Sequence, residues 1–308
     1  MDPWIVMTSV LLFTVCILIL IYFLTPCRSA LDLLNHRIKA TCEFKSVYAG
    51  GKGLPTTREY IKELGELEDS WEEIRDEMLN ATEDKEIPSM HDAYNNMFLY
   101  KGSGKNKNPL VNVFTWIVMK IIYGGDTEIF DQIGTDKWRT YNLVLFNQNV
   151  PGNAEKCPRT IQLLKKIPGM QSALFSFMKP GAYVPPHNDP AKGVIRYHLA
   201  LKVPEKREKC FLEVDGYKHH WKEGEGFIFD DIYDHTVRND TNETRVILFV
   251  DILRPLEGTA RALQSLANFL NYYNPGVRRL INESREKKIS EESEMKEDVV
   301  NNELIETF

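Results

Sequence analysis

The chain has 308 residues, of which 43% are hydrophobic and 27% are charged, so it can bury the core of one large domain and carry appended segments. Its formal net charge of −6 at pH 7 is opposite to the basic surface that nucleic-acid binding requires, so no nucleic-acid partner is expected. Its five cysteines include no CxxC pair and no regular spacing, which argues against a disulfide framework or a zinc ribbon.

An apolar run without a charged residue extends from Trp4 to Leu24. A helix of about 20 residues crosses the hydrocarbon core of a bilayer, so this run predicts a transmembrane anchor over residues 1–26. A cleaved signal peptide is the alternative, but it would need a basic segment before the run and a small-residue cleavage site after it. The sequence has neither, and a retained anchor is the preferred interpretation.

The charges that flank this run predict its orientation. Arg28, Arg37 and Lys39 follow it and no lysine or arginine precedes it, which places the main domain on the cytoplasmic side of a membrane. Four glycosylation sequons point to the opposite side, and they begin at Asn80, Asn239, Asn242 and Asn282. Such tripeptides often arise by chance, so the charges decide the prediction of a single-pass protein with a cytoplasmic domain.

The next segments are a juxtamembrane stretch without a clear period, residues 27–55, and then a helical one. From Thr56 to Leu79, apolar residues recur at three- and four-residue steps with charged residues between them, which predicts an amphipathic helix. A mixed, strand-containing region follows over Val111–Val144. A short helix is expected over Cys157–Lys166, because Pro158 fits the first helical turn.

Short runs rich in Phe, Val, Ile and Tyr alternate with Gly, Pro and Asp turns from Gln171 to about Arg254. Asp215-Gly216, between two of these runs, is a strong signal for a two-residue hairpin turn. The pattern predicts an all-β sandwich, barrel or jelly roll with its core over about 171–255. The expected strands are Ser172–Met178, Val194–Val203, Cys210–Val214, Tyr217–Trp221, Gly226–Phe229, Thr236–Val237 and Arg245–Leu253.

The chain becomes helical again after Pro255, and residues 256–284 are expected to form a helical extension. Its apolar stripe is made of Ala260, Leu263, Leu266, Phe269 and Leu270. The stripe suits either a membrane surface or the β-domain, and packing against the β-domain is the preferred interpretation. Residues 285–308 are charged and poor in core residues, and they are expected to be disordered.

His187, Asp189 and His235 form a candidate metal site. His187 and Asp189 are two residues apart in a proline-flanked segment, and in extended backbone such positions point to the same side. His235 follows a later predicted strand. Two histidines and one carboxylate on one face of a metal ion, with other positions left open, are typical of non-haem iron(II) oxygenases. An HxD tripeptide alone is a weak signal, and Asp189 could instead start a turn before Pro190.

Two arginines on predicted strands suggest a binding site for an anionic co-substrate. Arg196 and His198 share one face of their strand, and Arg245 begins a strand of core-type residues. An unpaired buried charge is costly, so each arginine needs an anionic partner. Bound 2-oxoglutarate supplies two carboxylates, and a guanidinium group binds a carboxylate bidentately.

Structural roles stay open for several of these polar residues. Arg196 could pair with an internal acid such as Glu213 or Asp251. A carboxylate cluster before His235 is expected to form a turn, although one member could orient that histidine; it consists of Asp230, Asp231 and Asp234. The remaining histidines are interpreted as surface or core residues, namely His36, His91, His219 and His220.

Taken in order, these motifs resemble the aspartyl/asparaginyl β-hydroxylase superfamily of 2-oxoglutarate dioxygenases. The resemblance covers Cys157–Pro255 and an upstream helix around Trp71–Glu77. Within the superfamily, the chain is most similar to the bacterial lipid A 2-hydroxylases, which are inner-membrane proteins. The matching pieces are Cys157-Pro158 through Thr160, Leu163 through Pro168, His187-x-Asp189-Pro190, Arg196-Tyr197-His198-Leu199, Phe229-Asp230-Asp231 through His235, and Arg245 through Arg254-Pro255.

The resemblance implies a mainly β fold, a double-stranded β-helix of the jelly-roll or cupin-like kind with flanking helices, within a dioxygenase domain over residues 56–255. It implies iron(II) on His187 and His235, with Asp189 as the third ligand, and O2 as a co-substrate. The residues implied to bind 2-oxoglutarate are Ser176, Arg196, His198 and Arg245. The superfamily's peptidyl hydroxylases have glycine where this chain has Asp189, so the resemblance and the anchor together favour a lipid substrate.

The function expected from the sequence is a membrane-anchored dioxygenase that hydroxylates a C–H bond on an acyl chain of a lipid. Two alternatives stay open: peptidyl aspartyl or asparaginyl hydroxylation, and a non-catalytic jelly-roll binding module. The intact set of ligand-type residues weighs against the binding module. The expected partners are a lipid or protein substrate and the membrane, with no obligate protein partner.

Overall fold

The computed structural model of the protein describes residues 57–83, 85–90, 92, 136–187, 193–231, 233–256 and 258–306. The predicted anchor over 1–26, the juxtamembrane segment 27–55, Asp189 and most of Val111–Val144 lie outside these ranges. Within the described ranges, no helix is both long enough and apolar enough to cross a membrane.

The described residues form a set of β-strands with helices before, among and after them in the chain. The helices are α1 (Thr57–Tyr60), α2 (Glu63–Asp69), α3 (Trp71–Thr82), α4 (Pro158–Leu164), α5 (Gly258–Tyr272) and α6 (Pro275–Glu306). The strands are β1 (Trp138–Leu145), β2 (Gln148–Asn149), β3 (Met170–Met178), β4 (Ala182–His187), β5 (Val194–Lys202), β6 (Cys210–Val214), β7 (Tyr217–His219), β8 (Gly226–Phe229), β9 (His235–Asn239) and β10 (Arg245–Leu253).

The strands are divided between two antiparallel sheets. One has the order β2-β1-β3-β10-β5-β8 and the other has the order β4-β9-β6-β7. Strands β3–β10 form the eight-stranded arrangement of a jelly roll. In it, β3 pairs with β10 and β4 pairs with β9. The predicted double-stranded β-helix is therefore confirmed, with β1 and β2 extending one of its sheets.

The predicted hairpin at Asp215-Gly216 is also confirmed. Val214 pairs with Tyr217 across the turn, and both turn residues have positive φ, 48° for Asp215 and 80° for Gly216. Those angles belong to the type I′ turn, whose twist matches that of the flanking strands. Glycine and aspartate tolerate this conformation better than bulkier residues do, so the dipeptide fixes the register of β6 against β7.

Strand β5 separates two apolar clusters on its two faces, as its alternating pattern predicts. Ile195, Tyr197 and Leu199 are fully buried in a cluster with α2, α3 and α4. On the other face, His198 lies between the sheets among aromatic rings. The helices thus cover the outer face of the larger sheet, and the space between the sheets is left for the polar residues of a site.

The predicted helix over Thr56–Leu79 is divided into the three helices α1, α2 and α3. At the second junction, the Ser70 N–H donates to the carbonyl oxygens of Glu66 and Leu67 and ends α2. The Ser70 carbonyl oxygen then accepts from the Ile74 N–H and starts α3. Apolar residues of each short helix still face one core, so the period of the sequence does not reveal the breaks.

A partly buried carboxylate joins α3 to α4. The Glu77 Oε1 accepts a hydrogen bond from the Arg159 N–H at 2.8 Å, and its Oε2 accepts from the Thr160 N–H at 2.8 Å and the Thr160 hydroxyl at 2.7 Å. These amides belong to the first turn of α4, where they have no partner within the helix. A negative charge at a helix N-terminus is also favoured by the helix dipole.

Strand β4 was not expected, because Pro185 and Pro186 suggested a stiff turn. Among the described residues, the strand pairs with β9 alone and forms an edge of the smaller sheet. Proline lacks an N–H group and is accepted on edge strands, where a donor is not needed on the outer side. The pairing shifts register between Val184 and His187, which accommodates the two prolines.

Two expectations for the C-terminal part were wrong. The tail from Arg285 is helical as far as Glu306 instead of disordered. Ion pairs four residues apart, such as Lys288 with Glu292 at 3.8 Å, support the helix, and Lys288 also reaches Glu155 at 3.1 Å. In α5, the expected packing on the β-domain is wrong for Leu266 and Phe269, which are exposed, whereas the side chains of Ala260, Leu263 and Leu270 lie outside the described ones.

Candidate active site

His187 and His235 lie side by side at one end of the smaller sheet. His187 ends β4, His235 begins β9, and the two residues are paired across the strands. Their ring centroids are 4.2 Å apart. The two histidines that the sequence places 48 positions apart are therefore neighbours in the fold, as a shared metal ion requires.

The backbone fixes the orientation of both imidazole rings in the same way. The Nδ1 of His187 lies 2.8 Å from the carbonyl oxygen of Pro185, and the Nδ1 of His235 lies 2.9 Å from that of Tyr233. A carbonyl oxygen only accepts, so each Nδ1 carries the proton and donates. Each Nε2 then presents a lone pair, which is the form of histidine that binds a metal.

The donor set fits a divalent transition metal such as iron(II). Two imidazoles are in place, and the third predicted ligand, Asp189, is two residues from His187 in sequence but outside the described ranges. Among the residues that the structure describes, no three His, Cys, Asp or Glu side chains form a metal-binding group. Asp189 as a ligand therefore stays a prediction.

His198 occupies the space between the sheets, next to the histidine pair. Its ring is surrounded by the aromatic rings of Trp221, Phe227, Phe229 and Phe249, at centroid distances of 4.9–6.2 Å. Burial, reinforced by the positive charges of nearby arginines, holds the pKa of His198 well below its usual value. The imidazole is therefore neutral, and in the described part of the chain neither ring nitrogen has a hydrogen-bond partner.

Arg245 lies beside His198, with its side chain buried between the sheets. Its Nη1 is 3.4 Å from the Ser176 hydroxyl, and its guanidinium carbon is 4.6 Å from the centroid of the Trp221 ring. Burial lowers the pKa of Arg245 to about 10, and no carboxylate among the described residues opposes this shift. Its Nε also lacks a hydrogen-bond partner there. A buried cation of this kind is suited to bind an anion.

Arg196, the other predicted co-substrate arginine, has carboxylate partners within the protein. Its Nη2 is 3.1 Å from Asp231 Oδ2, and its Nε is 3.1 Å from Asp251 Oδ1. The sequence-based alternative of an internal acid is thus correct for Asp251, while Glu213 pairs with Lys218 instead. Of the two arginines, Arg245 is the one whose charge an incoming anion would balance.

The segment before His235 forms the expected turn, in which the Tyr233 N–H donates to the Asp230 carbonyl oxygen at 3.4 Å and Asp234 is exposed. Asp230 and Asp231 are fully buried. Asp230 Oδ1 accepts from Arg254 Nη2 at 2.6 Å, and Asp231 pairs with Arg196. These two ion pairs fasten the end of β8 to β5 and β10, and so hold the short segment that leads into His235.

Comparison with known proteins identifies the family of this chain. The profile of the family described as aspartyl/asparaginyl beta-hydroxylase matches residues 68–255, more than half of the 308-residue chain. The chain belongs to the aspartyl/asparaginyl β-hydroxylase family. The match extends from the end of α2 to the residue after Arg254, and it includes every predicted site residue.

The similar proteins include a lipid acyl hydroxylase and an aspartyl/asparaginyl hydroxylase. The ornithine lipid ester-linked acyl 2-hydroxylase of Rhizobium tropici is 43% identical over 150 residues, which cover 47% of this chain and 53% of that protein. The human aspartyl/asparaginyl β-hydroxylase is 31% identical over 123 residues, 38% of this chain and 16% of that protein. The chain thus spans about half of the rhizobial protein and a small part of the human one.

Among solved structures, the cupin domain of Schizosaccharomyces pombe Cnp3 matches with a TM-score of 0.29 at 16% identity, over 42% of this chain and 73% of that chain.

Two tryptophans of the hydroxylase site escaped the sequence reasoning. Trp138 Nε1 donates to the Ser176 hydroxyl at 2.9 Å, which leaves the Ser176 proton free to point towards the interior. Trp221 packs between Arg245 and His198, and its own Nε1 has no partner among the described residues. Only the rarity of tryptophan could have indicated these roles, because the residues that the two tryptophans contact are distant from them in sequence.

Proposed function

We propose that this hydroxylase uses iron(II), 2-oxoglutarate and O2 to hydroxylate an acyl chain of a lipid, and that it is anchored in a membrane by residues 1–26. The observation that carries the cofactor assignment is the pair of oriented histidines next to a buried arginine that has no carboxylate partner among the described residues. The first feature suits the metal, and the second suits a dicarboxylate that binds the metal with one end.

Each site residue then has a defined task. His187 and His235 would hold iron through Nε2, with Asp189 as the third ligand. Arg245 would bind the distal carboxylate of 2-oxoglutarate, to which the Ser176 hydroxyl and the Trp221 N–H can also donate. Iron with its two co-substrates would supply the oxidation that converts a C–H bond to C–OH and releases succinate and CO2.

The remaining residues determine the surroundings of the bound co-substrate. Neutral His198 can hydrogen-bond to the co-substrate without adding a second charge, because burial keeps it unprotonated. The aromatic rings around it exclude water from the interior. Arg196 balances Asp231 and Asp251, so it fixes the segment before His235 instead of competing for the co-substrate.

The choice of a lipid substrate has two supports. Asp189 stands where the superfamily's peptidyl hydroxylases have glycine, and the rhizobial relative is named as an acyl 2-hydroxylase of ornithine lipid. Peptidyl aspartyl or asparaginyl hydroxylation is the second candidate, and it is favoured by the human relative's name. The proposed orientation, with the domain on the cytoplasmic side, rests on Arg28, Arg37 and Lys39 alone.

Succinate formation by the purified full-length chain tests the proposal. Iron(II), 2-oxoglutarate and O2 are supplied with either a lipid extract or a pool of acidic peptides, and mass spectrometry follows the gain of one oxygen atom. We expect lipids, and not peptides, to stimulate turnover. Stimulation by peptides alone would establish the second candidate, and absence of both iron binding and turnover would refute both.

Replacing the third ligand tests its role separately. Asp189→Gly is expected to lower hydroxylation strongly, because only two protein ligands would remain, whereas Asp240→Asn, which changes an exposed carboxylate beyond the end of β9, is the matched control. Full activity of Asp189→Gly would remove Asp189 from the ligand set and with it one of the two arguments for a lipid.

A further inference from the structure

Helix α5 carries several exposed large apolar side chains. Leu266, Phe269 and Tyr273, which lie at the end of the helix and just beyond it, are 44%, 54% and 47% exposed. Steps of three and four residues put them on one face of the helix. We refer to Leu266, Phe269, Tyr272 and Tyr273 as the α5 face.

The opposite side of α5 makes the polar contacts. Gln264 is 6% exposed, and its amide donates to the carbonyl oxygen of Gly193. At the other end, Gln148 Nε2 donates to the Tyr272 carbonyl oxygen at 3.0 Å. These hydrogen bonds fasten the helix to the β-domain, while the side chains of the α5 face are exposed.

The side chains of the α5 face form one cluster. The ring centroids of Phe269 and Tyr273 are 4.7 Å apart, and those of Tyr272 and Tyr273 are 5.1 Å apart. The guanidinium carbon of Arg278 lies 4.9 Å from the centroid of the Tyr273 ring. Other exposed large apolar residues, such as Leu79 and Ile289, lie on other helices. A contiguous exposed apolar patch of this kind marks a binding surface.

The charge around the α5 face is opposite to that of the whole chain. Residues 258–282 contain Arg261, Arg278 and Arg279 and no Asp, Glu or Lys; Arg279 pairs with Glu283 at 3.4 Å, so Arg261 and Arg278 carry the local positive charge in a chain of −6. Exposed leucine and phenylalanine, tyrosines at the edge and arginines around them are the composition of a helix that lies in the surface of an anionic membrane.

The position of α5 connects this face to the site. Gly193, which Gln264 holds, directly precedes β5 and follows His187 by six residues. Arg254, at the start of the segment that leads into α5, binds both the Val194 carbonyl oxygen and Asp230. The α5 face is thus built onto the same end of the sandwich as the segment that carries His235.

We propose that the α5 face docks the catalytic domain onto the surface of a membrane that contains anionic lipids, with Leu266 and Phe269 inserted among the acyl chains. This inference rests on the proposed lipid substrate. Docking there would bring the end of the domain that carries His187 and His235 to the membrane surface, where a membrane lipid is accessible. It would add a second, reversible contact to any anchor provided by residues 1–26.

Tryptophan reporters in the full-length chain test the docking. Phe269→Trp places an indole on the α5 face, and Leu79→Trp places one at a site of similar exposure, 48%, on α3. Each protein is bound to vesicles of phosphatidylcholine with or without phosphatidylglycerol, and quenching by brominated lipid is measured relative to the wild-type chain. We expect roughly twofold stronger quenching of Trp at 269 than at 79 in the anionic vesicles.

Charge reversal supplies the second measurement. In the Phe269→Trp chain, Arg261→Glu with Arg278→Glu is expected to reduce the quenching several-fold, while Lys62→Glu with Lys218→Glu, two exposed cations elsewhere, should leave it unchanged. Circular dichroism checks that each variant is folded. Quenching of both reporters alike, or of neither, while the chain is bound to vesicles would overturn the proposal, and so would indifference to phosphatidylglycerol.

Two further outcomes identify a different occupant. If the chain without vesicles is dimeric by light scattering and Phe269→Ser makes it monomeric, a second copy covers the face and the proposal is wrong. Hydroxylation of a detergent-dispersed lipid is measured in parallel with the Phe269→Trp chain. Turnover without quenching refutes the docking but not the function, and quenching without lipid turnover refutes the function but not the docking.

Discussion

Replacing Arg245 by methionine is expected to abolish 2-oxoglutarate binding and, at the same time, to make the unliganded protein more stable. Arg245 is buried between the sheets and lacks a carboxylate partner among the described residues. Under the proposed function, its charge is balanced by a carboxylate only when the co-substrate is bound. Methionine has a similar length and no charge, so it fills the same space without requiring an anion.

The magnitude follows from the pKa of Arg245, which burial lowers from its ordinary value to about 10. One pKa unit corresponds to about 1.4 kcal/mol, so the charged side chain lowers the free energy of unfolding by about 3 kcal/mol at neutral pH. Because the folded-state pKa is the lower one, this cost is present in full below pH 10 and disappears as the pH rises towards the ordinary pKa of arginine. Loss of the contacts with Trp221 and Ser176 removes about 1–2 kcal/mol, so we expect a net gain of about 1–2 kcal/mol.

Thermal unfolding under nitrogen with iron(II), with and without 2-oxoglutarate, checks both halves of the prediction. A ligand at about a hundredfold excess over its Kd stabilises the folded state by about 2.7 kcal/mol, and the wild-type Tm should rise accordingly. The Tm of Arg245→Met should start higher and change little when 2-oxoglutarate is added. Succinate formation by the variant should fall to the background.

Arg196→Met is the matched control, because Arg196 neutralises the fully buried Asp231 and also Asp251. Removing one partner of a buried ion pair typically costs about 3–5 kcal/mol, so this variant should be much less stable with or without the co-substrate. The reasoning about Arg245 is refuted if Arg245→Met lowers the Tm of the unliganded protein or still binds 2-oxoglutarate as the wild type does.

Two other predictions test the metal site and the helix junction. His235→Ala should lose bound iron and hydroxylation, since one of the two oriented imidazoles is gone, whereas His220→Ala should retain both; the metal content of the purified chains is the measurement, and wild-type iron in His235→Ala would contradict the assignment. Glu77→Gln should lower the free energy of unfolding in urea by about 1–3 kcal/mol, because two amides and a hydroxyl at the start of α4 lose a charged acceptor. Glu73→Gln, which removes an exposed ion pair with Arg159, should change it by less than about 1 kcal/mol, and equal effects of the two variants would show that Glu77 does not act as a cap.

The local pattern of the chain was sufficient for most strands and for the identity of the histidine pair. Alternation in β5 separated Ile195, Tyr197 and Leu199 from Arg196 and His198, because side chains of a strand point to opposite faces in turn. Asp215-Gly216 predicted its hairpin because few residues adopt positive φ. Strand β4 was not among the expected strands, because its two prolines are acceptable only at an edge position, which the local pattern does not show.

The sequence by itself identified the candidate site residues, since His187, His235, His198 and Arg245 are distinguished by type, order and position on their strands. It did not determine what lies opposite each of them. The pairing of Arg196 with Asp231 and Asp251, and the lack of such a partner for Arg245 in the described chain, depend on the register of β5 against β8 and β10. The outward direction of the α5 face likewise depends on the hydrogen bonds of Gln264 and Gln148. A pattern along one element specifies its faces, but only the packing of several elements decides whether a face meets a charge, an apolar core or the surroundings.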